Sequence, residues 1–138
     1  ILRTKIPPYL DLKIPKNVQI ISNHIQNDEL EKMYNSMDVL ILPSVDEGFG
    51  MVALEAMRLK KPIIVTRNVG MKDILINYMD DAEKFIIEPG DIKALTNKII
   101  ELYDNKDNLT KYGLNFYNAA NIYLKKDVYK GYDKILRK

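Results

Sequence analysis

Two short apolar runs, Val39–Leu42 (VLIL) and Ile63–Thr66 (IIVT), flank a stretch from Gly50 to Lys60 that is rich in Met, Ala, Leu and Glu. No other feature narrows the fold as much. Val39–Leu42, with no polar residue on either side of the pleat, suits a strand covered on both faces, as in a parallel sheet between helices. The residues between the runs are good helix formers, and Pro62 ends them before the second strand begins. The same alternation continues outward. Val18–Ser22 (VQIIS) reads as a strand, and Asn27 as the N-cap of a helix over Asp28–Met37.

Downstream, a Gly-containing loop at Asn68–Gly70 precedes a short helix over Lys72–Tyr78 and a strand over Lys84–Ile87. The sharp turn Glu88–Asp91 follows, with Asp91 as an N-cap. Ile92, Leu95, Ile99 and Leu102 then fall at helical spacing. Beyond a break at Asn105–Asn108, Leu109, Tyr112, Phe116, Ala120 and Tyr123 continue a second amphipathic stretch. Residues 1–16, with Pro7, Pro8 and Pro15, read as an irregular or briefly helical lead-in, and residues 125–138 as a basic C-terminal helix. The expected fold class is α/β: a Rossmann-like parallel sheet flanked by helices and wound by right-handed crossovers, as one domain over 1–138.

Composition excludes several classes. With no cysteine among 138 residues there is no disulfide framework, thiolate zinc site or thiol nucleophile. A balance of 21 Lys+Arg against 19 Asp+Glu, net +2, gives no bulk electrostatic reason to bind nucleic acid. No apolar run approaches the roughly 20 residues needed to cross a bilayer. The N-terminus has no basic start, apolar core and cleavage site, so the expected compartment is the cytoplasm. The chain opens on Ile1 rather than methionine, as a piece of something longer would.

In a sheet of this kind ligands bind beyond the carboxyl ends of the strands, which directs attention to the loops after Ser22, Leu42 and Thr66. The second of these reads PSVDEGFGMVALEAM over Pro43–Met57. Gly48 and Gly50 let an anion approach the main chain, and the N–H groups near Gly50, Met51 and Val52 face it from the positive end of a helix. That is a seat for a diphosphate. Glu55 lies roughly 7.5 Å along the helix axis, the reach from a phosphate to a ribose, where a carboxylate accepts two hydrogen bonds from a vicinal diol. Glu47 precedes the glycines, across the phosphate seat from Glu55 and near whatever the diphosphate carries. A sugar suits it.

The Glu47-x7-Glu55 pair within PSVDEGFGMVALEAM resembles the donor-binding motif of retaining, GT-B-type glycosyltransferases of group 1. Tyr34–Val39, Lys61–Val65 and Glu88–Asp91 with the helix from Ile92 to Leu102 resemble the flanking landmarks, so the likeness covers most of 18–138. It implies the C-terminal half of a GT-B fold, a donor-binding domain whose parent enzyme moves a hexosyl-type sugar from a nucleotide diphosphate to a hydroxyl acceptor. Polysaccharide, glycolipid or glycoconjugate synthesis is the implied setting. Glu55 then holds ribose hydroxyls, Glu47 orients the sugar beside the reacting carbon, and Gly48, Phe49 and Gly50 give main-chain contacts. His24 and Ile25 lie near the base.

The resemblance implies no cofactor and no metal, since helix amides and basic side chains neutralise the diphosphate. The partners it implies are the nucleotide-sugar donor and an N-terminal acceptor domain absent from this sequence, so the chain alone is expected to be inactive. The family's glycine-bearing strand and basic pair also have no counterpart here, and Asp73 stands where the family often shows glutamate.

Plainer readings accompany these. His24 suits a loop histidine lining a pocket, Gly70 an ordinary turn, Arg67 the surface, and Tyr112, Tyr123, Tyr129 and Tyr132 helix packing. The six Lys or Arg from Lys125 to Lys138 read as a solvated helix, with peripheral contact to the inner face of an anionic membrane as the functional alternative. For the whole chain, the rival is a non-catalytic flavodoxin-like binding or regulatory module. It shares the strand-helix rhythm without needing paired carboxylates around a Gly-Phe-Gly turn.

Overall fold

The computed structural model describes residues 2–3, 13–21 and 27–129. Its contacts group into two units, Ile1–Lys32 and Met33–Lys138. In the first, strands β1 (Leu2–Arg3) and β2 (Ile20–Ile21) pair in parallel, Leu2 opposite Ile20. The lead-in is therefore not wholly irregular: its first residues find a β-branched partner and extend along it. The β2 strand is also shorter than the expected Val18–Ser22. Val18 is held in a turn by its N–H to the Pro15 carbonyl at 3.0 Å, which leaves only the two isoleucines to pair. Helix α1 spans Asn27–Ser36 and begins at the residue expected to cap it.

The second unit holds a three-stranded parallel sheet in the order β3 (Leu40–Leu42), β4 (Ile63–Thr66), β5 (Ile86–Ile87). Register runs Leu40 to Ile63 and Val65 to Ile86. All four residues of β4 are buried, as an unbroken apolar run between two neighbours requires. The connections are helices: α2 (Met51–Arg58) between β3 and β4, and α3 (Met71–Tyr78) between β4 and β5. Helices α4 (Ile92–Asp104) and α5 (Leu109–Tyr123) follow β5, α4 opening where Asp91 accepts the Ala94 N–H at 2.8 Å. This is the expected Rossmann-like α/β class.

One element differs from its sequence reading. Lys84 and Phe85, expected to begin a strand, instead close a 3₁₀ turn over Ala82–Phe85, and only Ile86–Ile87 pair with β4. The cause is Phe85, which is fully buried and stacks edge-on against Phe116 at 4.9 Å and Tyr112 at 5.3 Å. Pulling that ring into the core curls the backbone, and burial of a side chain this size contributes roughly 1.5–3 kcal/mol. Alternation cannot report such a turn.

Helix α5 lies against α2 and α3 and buries Phe116, Ala119 and Ala120. The α2 helix ends in a paired-carbonyl motif: Lys60, at φ 57°, donates to Met57, and Lys61 to Ala56, both at 3.0 Å. After Tyr123 the chain widens into a π-helical run, Leu124–Tyr129, so the first residues of the expected basic helix are π-helical rather than α-helical. Residues 130–138, the rest of that expected helix, lie outside the described residues. No helix among the described residues is long and apolar enough to cross a membrane.

Candidate functional site

Three loops leave the carboxyl ends of β3, β4 and β5, and the first two are laced together. Buried Thr66 donates its hydroxyl to the Ser44 carbonyl. Asn68 Nδ2 donates to the Val45 carbonyl at 2.8 Å, and the Glu47 and Val69 backbones form an isolated parallel bridge. The Gly70 N–H then bonds the Gly48 carbonyl at 3.1 Å. Two segments about 20 residues apart in sequence therefore form one rigid platform, and the Glu47–Gly50 turn sits on it.

The glycines of this platform have different reasons to be glycine. Gly50 adopts φ 82°, and a Cβ on it would stand 2.8 Å from Val69 and 3.0 Å from Leu42. At Gly70 the obstacle is backbone, with the Gly48 carbonyl oxygen 2.2 Å from where a Cβ would be. Gly48 has neither constraint: its φ is ordinary and nothing lies within 4 Å of its would-be Cβ.

From Gly50 the chain turns directly into α2. No side chain among the described residues bonds the helix's first amides, and the first internal bond runs from the Ala53 N–H to the Gly50 carbonyl at 2.9 Å. The N–H groups of Met51 and Val52 have no acceptor among the described residues and point out of the positive end of the helix. One turn further, half-buried Glu55 accepts a 2.6 Å hydrogen bond from the hydroxyl of Tyr34, itself only 3% exposed. The phenol fixes one carboxylate oxygen and leaves the other available. Glu47 is exposed, its Cγ 3.8 Å from the Gly50 Cβ position.

The sequence-predicted residues Glu47, Gly48, Phe49, Gly50, Met51, Val52 and Glu55 thus occupy one continuous turn and helix start. His24 and Ile25 lie outside the described residues. Arg67 serves the sheet rather than this turn. It donates to Glu83 at 2.7 Å and Glu88 at 2.7 Å, tying the end of β4 to both flanks of β5. Those hydrogen bonds and charges raise the Arg67 pKa and lower that of Glu83, the Arg67–Glu83 hydrogen bond being the largest cause for each.

Sequence reasoning did not single out Tyr34 as a site residue, since its link to Glu55 spans 21 positions. It also missed a cavity of about 350 Å3 on the α3 side of the turn, lined by Gly48, Phe49, Asp73, Asn77, Tyr78 and Tyr123 among others. The Asp73–Asn77 spacing of four on a helix was the available signal. Tyr123, expected to pack, does so against Phe49, with ring centroids 5.8 Å apart.

Comparison with known proteins agrees with this architecture. The family described as glycosyl transferases group 1 matches residues 8–119. The capsular polysaccharide biosynthesis glycosyltransferase CapM of Staphylococcus aureus is 38% identical over 71% of this chain and 24% of its own length. The sulfoquinovosyl transferase SQD2 of Arabidopsis thaliana is 32% identical over 64% of this chain and 17% of its own. Among solved structures, sucrose-phosphate synthase from Thermosynechococcus elongatus superposes with a TM-score of 0.69 at 23% identity, covering 86% of this chain and 30% of that one. The chain spans less than a third of each of these proteins. With the strand, turn and helix of the motif in place, and the family matched across most of its length, the chain belongs to the group 1 glycosyltransferases.

Proposed function

We propose that this chain binds the nucleotide diphosphate sugar donor of a retaining glycosyltransferase, and that the parent enzyme transfers a hexosyl-type sugar to a hydroxyl acceptor. The observation that carries the reading is the start of α2: amides with no acceptor among the described residues behind Gly50, and Glu55 one turn on, held by Tyr34. A diphosphate accepts from the amides, and its charge is favoured by the helix dipole. The free oxygen of Glu55 accepts from ribose. Glu47, on the opposite side of the glycines, meets the sugar.

Transfer requires the bond between anomeric carbon and diphosphate oxygen to break while negative charge builds on the leaving group. Amides already aimed at that charge stabilise it without reorganising. Glu47 orients the sugar and screens positive charge developing at the anomeric carbon. Because the relatives are three or more times longer than the matched region, the chain alone is expected to bind donor without transferring it.

Amide chemical-shift mapping of the 138-residue chain with UDP, GDP and ADP tests this. Shifts concentrated on Gly48–Glu55 for one nucleotide, and lost in Glu55→Ala, are expected. Silence from all three, with the variant and the parent chain both folded, would remove the donor reading.

A further inference from the structure

We propose that the outer face of α5, with the turn between α2 and β4 beside it, is a surface that rests on a lipid bilayer containing anionic phospholipid. The proposal goes beyond the donor reading and does not depend on it, since none of its residues belongs to the Glu47–Glu55 segment.

Charge segregation is the first argument. The whole chain is nearly balanced, yet residues 56–72 and 109–126 hold eight of its 21 cations and none of its 19 acidic residues. Folding joins these two stretches. Helix α5 packs on α2, and a Cβ on Gly113 would overlap the Lys60 carbonyl, so only a glycine lets the helix come this close to the turn. The Lys60 ammonium then lies 5.5 Å from the centre of the Tyr117 ring. Arg67 and Lys72, at and beyond the far end of β4, are paired with carboxylates. The other six, Arg58, Lys60, Lys61, Lys111, Lys125 and Lys126, have no carboxylate partner among the described residues, and all but Lys61 are exposed.

Shape is the second. Lys111, Leu114, Asn118 and Ile122 recur at steps of three and four residues, which puts them on one side of the helix, away from the buried Phe116, Ala119 and Ala120. Lys125 and Lys126 follow in the π-helical run. Leu114 is 49% exposed and Ile122 36%. A soluble polyanion has no use for these two side chains. A bilayer interface does: they enter the acyl boundary while the lysines meet lipid phosphates, and the half-exposed Tyr117 ring suits the headgroup level. Each cation near anionic lipid strengthens partitioning roughly fivefold. Asp107 and Asp127 bound the acid-free stretch of this helix, which confines the contact to its length.

Co-sedimentation of the 138-residue chain with vesicles tests this. Vesicles of phosphatidylcholine alone are compared with vesicles that also contain phosphatidylglycerol; binding is expected to the second kind only, and to weaken in high salt. Two paired variants at exposed positions, checked for unchanged thermal stability, locate the contact. Lys60→Gln with Lys111→Gln should lower partitioning roughly 25-fold, and Leu114→Ser with Ile122→Ser about tenfold. Absence of any preference for the anionic vesicles overturns the proposal. Unchanged binding by both variant pairs overturns it too, by assigning the contact to residues 130–138. A loss confined to one pair does the same, since the partner would then be any polyanion or an uncharged apolar surface. The nucleotide titration reports separately: silence at Gly48–Glu55 beside vesicle binding that both variant pairs weaken would remove the donor reading and retain this surface.

Discussion

Gly48 and Gly70 touch through one hydrogen bond, yet a methyl group has different consequences at each. At Gly70 it meets a carbonyl oxygen that cannot rotate away, so either the Glu47–Gly50 turn or the start of α3 must move. Gly70→Ala is expected to cost about 1–3 kcal/mol, the usual penalty for forcing volume into packed structure. Gly48→Ala should stay within about 0.5 kcal/mol of the parent, as surface changes do. Urea denaturation of both variants checks the pair, and equal losses would contradict the close approach. Legibility also divides at this scale. The placement of Glu47, Gly50 and Glu55 on one turn and helix start was readable because a turn and the helix it feeds are local in sequence, and the spacing survives folding. Tyr34 was not, because its role depends on which helix face meets which, and that is settled only when the turn carrying Tyr34 packs on α2.

Among elements, the alternation of β3, α2, β4 and α3 was legible because both strands are short apolar runs with helix formers between them, although only β4 is covered on both faces; β3, at the edge of its described sheet, is half-buried rather than covered as expected. The 3₁₀ turn before β5 was not, because Phe85 leaves the strand pattern to satisfy Phe116 and Tyr112. That turn is held from outside by Arg67, through Glu83 and Glu88. Since the folded state lowers the Glu83 pKa, the link contributes stability above the ordinary carboxyl value of 4.5 and loses it as pH falls through the lower folded value. The groups are exposed, so the effect is small and screened by salt. Comparing urea midpoints of the parent and Arg67→Met across that acid range should show a gap at neutral pH that closes on acidification or in high salt. A gap that persists at the lowest pH would mean that Arg67 acts through packing instead.

For the whole molecule, a ligand that binds only the folded chain must stabilise it. At about one hundred times its Kd, one nucleotide is expected to add about 2.7 kcal/mol to the unfolding free energy. Thermal unfolding with UDP, GDP and ADP in turn measures this, and the nucleotide that raises Tm should lose most of its effect in Glu55→Ala. A rise that survives the substitution would place the ligand elsewhere. The family was legible at this scale because its motif and flanking landmarks recur in order along the chain. The cavity was not, because Phe49, Asp73 and Tyr123 come from three separate elements and meet only in the folded chain.

The missing side-chain bond at the start of α2 also has a thermodynamic meaning. A helix usually completes its first turn with its own serine, threonine or aspartate, and that completion is part of folding. Here Gly50 supplies the geometry but no side-chain acceptor, and none is found among the described residues, so the first turn is left open to an acceptor from outside. On the proposed donor reading, the diphosphate takes the place of an amino acid that the sequence omits. Discrimination between ligands is then partly discrimination between good and poor substitutes for that residue, and occupancy is coupled to how firmly the segment from Gly50 to Glu55 holds its shape.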